Sequence, residues 1–400
     1  MTHPAALVFA SMLAMSMLAA PAHAQDTVRE AARTLFGGTI TSNDIDAVAT
    51  VLALQTAVFP VGTSSGGFTY RIDPKTASPE LNTQGFGPLF AERALTLGSQ
   101  GSIALGISAQ ATRFESFEGR RLRNGDLRSR IAAGSEILDF HRFTFNLSTQ
   151  TTTLSAYFAA DDDLDIGVIV PIVRTSLTGT VSTISPLAPP LRTEQIEDAS
   201  ATSVGDVVVR GKWNFLRRNR NGLAALLEVF VPTGSEEQLA GTGHWRFRPT
   251  LVASAEAGAF SPHGNIGFTF GGSGVRITDN APFFPVIEQA EPGTEINYAL
   301  GADVSPYGPL TLFADLIGRS MRSVARFESG RRILPVPGFG AIPIEGFVAR
   351  EGTLDIRLGA VGARTIVMGS GLISAAVLFP LNEGGLRPGL TPVVGFDFTF

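Results

Sequence analysis

Histidines, an acidic run and a glycine-rich stretch are the places where this chain of 400 residues could do chemistry. Hydrolysis by a Ser–His–carboxylate set needs the three groups held together in space, whatever their order in the chain. His263 falls in Ser261-Pro262-His263-Gly264, which reads as a tight turn, and His244 falls in a long polar connection. The two are therefore expected at opposite ends of the fold, and neither they nor His141 are assigned a catalytic role. Asp161-Asp162-Asp163 with Asp165 could offer oxygen ligands to calcium, but a solvated turn explains the same residues. Gly271-Gly272-Ser273-Gly274 lacks the following Lys-Ser/Thr and helix of a phosphate loop, so it reads as a strand end. With no cysteine, thiolate metal sites, thiol nucleophiles and disulfides are excluded together. No enzyme activity, metal or cofactor is expected.

Binding residues are better represented. Arg210 and Lys212 share one face of an alternating segment, where they could attract an anionic head group or pair with carboxylates of neighbouring elements. Phenylalanine is abundant, 28 residues against four tyrosines and two tryptophans. Phe230 and Phe313 fall on the same register as the charges and are candidate ligand contacts. Phe215, Phe268, Phe270, Phe396 and Phe398 fall on the opposite one. The stretch 282–287 is apolar for a loop, so Phe283 and Phe284 are expected to fold over an entry site.

Such alternation needs strands. Val207, Val209, Trp213 and Phe215 oppose Asp206, Arg210, Lys212 and Asn214. Ile296, Leu300 and Val304 oppose Glu295, Asn297 and Asp303, and Leu354, Ile356 and Leu358 oppose Thr353, Asp355 and Arg357. Mean hydropathy is +0.20, yet the mature chain has no run of the roughly 20 apolar residues that a spanning helix requires. Charged residues make up only 17% and the net charge is −5, which argues against a cytosolic globule and against nucleic-acid binding. Apolar residues at every second position, with charge between them, suit a transmembrane antiparallel β-barrel whose polar face lines the lumen.

Turn spacing supports this. Short connections at 161–163, 218–221, 261–264 and 305–308 alternate with long polar ones near 180–204, 234–246, 276–294 and 323–351. That asymmetry gives about 14 strands, with about 12 as the alternative, and places the short turns in the periplasm. The first predicted pair is 66–72 and 86–98, the last strand is 389–400, and a bulge or a concealed turn is expected near Ser148–Thr151.

Three regions follow. Residues 1–24 contain no Lys, Arg, Asp or Glu and end in Ala22-His23-Ala24, as a secretory signal peptide does, so the mature chain is expected to begin at Gln25. Residues 25–63 carry two short helix signals, Thr27 with Glu30 and then Asn43 or Asp44 running to Phe59. They form a small helical unit, placed inside the bore as a plug, with a free periplasmic segment or a disordered leader as the alternative. Residues 64–400 form the barrel.

Within it, Gly205-Asp206-Val207-Val208-Val209-Arg210-Gly211-Lys212, Val231-Pro232-Thr233-Gly234 with Glu236 and Glu237, Gly241-Thr242-Gly243, and Phe260-Ser261-Pro262-His263-Gly264-Asn265-Ile266-Gly267 resemble the family described as phenol-degradation meta-pathway proteins. Ser65-Gly66-Gly67-Phe68 and Phe86-Gly87-Pro88-Leu89-Phe90-Ala91-Glu92-Arg93-Ala94 fit the same group, so the resemblance covers most of residues 60–400. It is an architectural relative of the FadL-like channels. The resemblance implies a bacterial outer-membrane channel for passive uptake of hydrophobic small molecules, aromatic compounds or fatty acids, with an N-terminal hatch. Terminal Phe400, with Phe396 and Phe398, looks like the signal read by the barrel-assembly machinery. A structural or surface-interaction barrel with a closed bore is the competing expectation, and a barrel phospholipase is a weaker third because the histidines are apart.

Overall fold

The computed structural model describes residues 27–37, 55–56, 63–72, 79–98, 100–133, 136–185, 191–218, 221–257, 259–271, 274–278, 286–290, 294–307, 310–336, 340–367 and 371–400. Twelve strands among them close into an antiparallel barrel: β1 (Ile103–Phe117), β2 (Glu136–Asp161), β3 (Leu164–Ser185), β4 (Val207–Arg218), β5 (Asn221–Val231), β6 (Arg246–Ser254), β7 (Phe260–Gly271), β8 (Glu295–Tyr307), β9 (Leu310–Val336), β10 (Gly340–Val367), β11 (Gly371–Pro380) and β12 (Thr391–Thr399). Each pairs with the next in sequence, and β12 returns to β1 from Val393↔Gln110 to Thr399↔Ala104. Closure leaves no strand edge to face hydrocarbon.

The alternation read from the sequence sets which face is which. On β4, Val209, Trp213 and Phe215 point outward, while Arg210, Lys212 and Asn214 are buried inside. Leu300 and Val304 of β8 are exposed and Glu295 and Asp303 buried. The outward belt continues through Leu251, Phe268, Ile373 and Val394. A large apolar surface on a closed barrel with a polar interior is the arrangement for lipid outside and water or a plug inside. The protein is a barrel of the membrane-spanning kind, crossing with strands.

At the upper rim the chemistry of the two faces inverts. Along β2, inward Thr149, Thr151 and Thr153 give way to inward Phe143, Phe145 and Leu147, while outward Leu154 and Phe158 give way to Arg142, Thr144 and Asn146. Beyond the bilayer the wall stands in water and packs like a soluble protein. This accounts for several departures from the sequence reading. The register from Phe140↔Ile184 to Ala159↔Asp165 is unbroken, so the apparent phase change near Ser148–Thr151 is the membrane boundary and not a bulge. On β10, Leu354 and Leu358 are buried inward with Met321 and Val324 nearby, whereas Asp355 and Arg357 are exposed, the reverse of the expected orientation. The long connections near 180–204 and 323–351 are extended strands: Leu191–Val204 pairs with β3, and β9 and β10 pair to Val336↔Gly340.

The strand count is corrected from 14 to 12. The predicted first pair forms its own sheet, Thr63–Ile72 with Pro79–Leu89, and residues 90–98 do not join the wall. The turn expected at Ser261–Gly264 lies within β7, and the chain reverses at 255–259 instead.

Short turns join β2–β3 and β4–β5 at one end, the end where β1 begins and β12 finishes. At the other end sits α1 (Val28–Gly37), capped as expected by Thr27 Oγ1 accepting from Glu30 N at 3.1 Å. Its apolar stripe, Val28, Ala31, Ala32 and Leu35, packs on Phe114, Phe143, Phe145 and Leu177 of β1 to β3. Residues 1–24, most of the second N-terminal helix, and Phe283 and Phe284 lie outside the described residues.

Candidate functional site

Residues 90–98 connect the small hairpin to β1, and their partners place them inside the bore. Phe90 N and Ala91 N donate to Asp315 Oδ2 of β9 at 3.4 and 3.3 Å. Glu92 accepts from Arg210 Nη2 of β4 at 2.6 Å and lies 3.7 Å from Lys212 Nζ, which also donates to Arg93 O. Arg93 pairs with Asp303 of β8, which also holds Arg364 of β10. Ala94 N donates to Ser254 Oγ of β6 at 3.2 Å, and Leu97 N to Asp165 Oδ2 of β3 at 3.0 Å. Strands β3 and β9 stand across the ring of twelve from each other, so a segment that meets both lies between them. Glu92, Arg93, Arg210 and Lys212 are all buried. Opposite charges held this way offset one another's desolvation, and removing one partner leaves the other stranded.

Above this segment is a cavity of about 190 Å³. Phe90, Ile169, Val208, Leu226, Phe230 and Ile317 give it apolar walls. Arg246, Arg248 and Arg319 line it as well, with Asp206 and Glu228. Arg248 donates to Glu228 Oε2 at 3.4 Å and to Thr269 Oγ1 at 3.2 Å, and Arg319 pairs with Glu295. The guanidinium carbons of Arg246 and Arg248 lie 4.4 and 4.7 Å from the Phe230 ring centre.

The roof is the β5–β6 connection, whose Ala240 reaches the cavity. Asp206 holds it down, accepting from Gly234 N at 3.2 Å, Thr242 N at 3.1 Å and Thr242 Oγ1 at 2.8 Å. Thr233 Oγ1 donates to Gly205 O at 2.8 Å, and a Cβ on Gly234 would sit 2.6 Å from the Cα of Gly241. Only glycines allow the two ends of the connection to touch there. The motifs at 205–212, 231–234 and 241–243 therefore describe one knot over the cavity. From its outer side, Glu236 and Glu237 reach Arg29 of α1 at 3.4 and 3.6 Å.

The structure gathers some predicted residues and separates others. Arg210 and Lys212 are in the bore but engaged by Glu92, and Phe230 lines the cavity. Phe313 is buried inward against Arg364, outside the cavity lining. Phe396, Phe398 and Phe400 lie on the outward register of β12, the last 69% exposed. His263 lies in the lower bore, Nε2 3.4 Å from Asp315 Oδ1, while His141 bonds Thr183 in the upper extension at 2.9 Å. Sequence reasoning missed Glu92, Arg93 and Arg246 as lumen residues. The first two were assigned to a wall strand, although their place in a family motif was a signal, and Arg246 stands at a strand edge beside a loop.

Residues 128–313 match the model of the family described as putative MetA-pathway of phenol degradation. The match bears out the family resemblance read from the sequence. No curated protein matches the chain. Among solved structures, an outer-membrane channel from Pseudomonas putida F1 is 13% identical, covers 75% of this chain and 96% of its own, and has a TM-score of 0.45. The toluene transporter TbuX of Ralstonia pickettii is 10% identical over 77% and 92% of the two chains, TM-score 0.34. A FadL homologue of Pseudomonas aeruginosa is 13% identical over 75% and 89%, TM-score 0.33.

Proposed function

We propose that this barrel is a channel for passive uptake of hydrophobic small molecules across the outer membrane, and that single-ring aromatic compounds are the class its bore accepts. One observation carries the reading: the lumen segment at 90–98 leaves a cavity of about 190 Å³ in which an apolar wall of Phe90, Ile169, Val208, Leu226, Phe230 and Ile317 stands beside charged side chains. An apolar cavity of about 150 Å³ holds one benzene, and drug-sized ligands need roughly 300 Å³ or more. A single ring therefore fits and an extended fatty-acid chain does not. The family name points to phenol degradation, and the toluene transporter among the similar folds agrees with a one-ring solute.

In this reading residues 1–24 direct secretion, and the plug extends from the N-terminal helices through residue 98, so that the barrel proper starts near Ile103. The solute partitions into the cavity and leaves when the plug shifts, with no chemical step. Uptake of radiolabelled toluene, phenol and oleate by a deletion strain, with and without the chain restored, tests it. Restoration should raise uptake of the one-ring compounds several-fold and leave oleate unchanged. Unchanged uptake of all three would favour a closed structural barrel.

A further inference from the structure

We infer that the cavity is an anion-aromatic site, in which Arg246 binds the carboxylate of a single-ring aromatic acid while the ring lies against the apolar wall beside Phe230. The inference rests on the channel reading and names the charge state of its solute.

The neighbouring lumen cations already have partners. Arg210 and Lys212 are engaged by Glu92, Arg319 by Glu295, and Arg248 by Glu228 and Thr269. Asp206 forms an ion pair with Arg246 Nη2 at 3.8 Å but accepts no hydrogen bond from it, its oxygens being taken by Gly234 N, Thr242 N and Thr242 Oγ1. Arg246 itself is 3% exposed and lines the cavity, yet its Nε and Nη1 are buried with no hydrogen-bond partner among the described residues. A guanidinium offers five donors in a planar fork that matches a carboxylate. Leaving such donors unmet in a buried place is costly, and a two-oxygen anion in the cavity would meet them.

Shape and position restrict the anion further. Arg246 sits opposite Phe230 in the β5–β6 register, with its guanidinium over that ring, so a carboxylate bound there has its organic part directed along Phe230, Val208 and Leu226. The volume admits one ring. Inorganic anions would satisfy the guanidinium but leave the apolar wall unused, and neutral aromatics would do the opposite. An aromatic acid uses both, and its flat ring suits the face of Phe230.

Titration calorimetry on the full-length chain in detergent, with sodium benzoate, benzamide and sodium sulfate as probes, tests this. Benzoate should bind about ten- to a hundred-fold more tightly than either benzamide or sulfate, the range of charge-assisted hydrogen bonds to a buried group. Arg246→Met should abolish the preference over benzamide while leaving benzamide affinity within about two-fold. If Arg246→Met fails to insert, Arg246→Lys keeps the charge and loses the fork, and should weaken benzoate by about ten-fold. Equal binding of benzoate and benzamide, sulfate binding as tight as benzoate, or a preference that survives Arg246→Met would each overturn the inference. Neutral phenol and toluene uptake by cells reports separately: if it persists while benzoate shows no preference, the anion site alone is wrong, and if it is absent the channel reading falls first.

Discussion

The residues that matter most in the bore are ones whose value depends on a partner from elsewhere in the chain. Glu92 meets Arg210 and Lys212 across 118 residues of sequence, in a place where all three are buried. Glu92→Gln should cost about 3 kcal/mol or more, because two cations lose their counter-charge away from water. Arg210→Met should cost a similar amount, and the double variant less than the sum, with a coupling of about 1–3 kcal/mol. Denaturant unfolding of the refolded barrel in detergent measures all three, and additive costs would show that the lumen pairs are not formed. The orientation of Arg210 and Lys212 was readable from alternation, but their partner was not. Nothing local distinguishes a Glu-Arg dipeptide on a strand from one on a segment that threads a bore.

Among the elements, β12 is both the end of the chain and the seam of the barrel. Phe400 N donates to Ile103 O at 2.8 Å, and the Phe400 ring packs edge-on to Phe398 at 4.7 Å on the lipid side. Phe400 ends the chain on the outward register, and we propose that it serves recognition by the barrel-assembly machinery. Deleting Phe400 should lower the amount of barrel reaching the outer membrane several-fold, while the thermal unfolding of the fraction that inserts stays close to that of the full chain. Normal surface levels would remove that role. Strand identity and face were legible for β4, β8 and β12, because the belt in lipid forces a strict period of two. They were misread on β2 and β10, where the extensions leave the bilayer and exchange apolar and polar faces without changing period. A scale that assumes one environment along a strand cannot see that crossing. A tight turn forms where acidic residues mark it, at 161–163, and Arg218 pairs with Asn221 across the Asn-Arg stretch. The Ser-Pro-His-Gly stretch misled because its proline and glycine sit inside β7.

For the whole molecule, the barrel, the lipid belt and the plug follow from one requirement: a wall of twelve strands is too wide for its own side chains to fill, so chain from the N-terminal region fills it. What remains unfilled is the cavity, and the channel reading requires that the segment below it move when solute passes. The chain has no native cysteine, so an engineered pair can test this without interference. A Cβ placed on Gly222 of β5 would lie 3.3 Å from the Ala94 Cβ, close to the spacing a disulfide needs. The most direct measurement is uptake of radiolabelled phenol by cells carrying the Ala94→Cys, Gly222→Cys double variant, oxidised and then reduced. The disulfide should form in the assembled barrel, uptake should fall several-fold when it does, and reductant should restore it. A disulfide that forms with no change in uptake would contradict a moving plug.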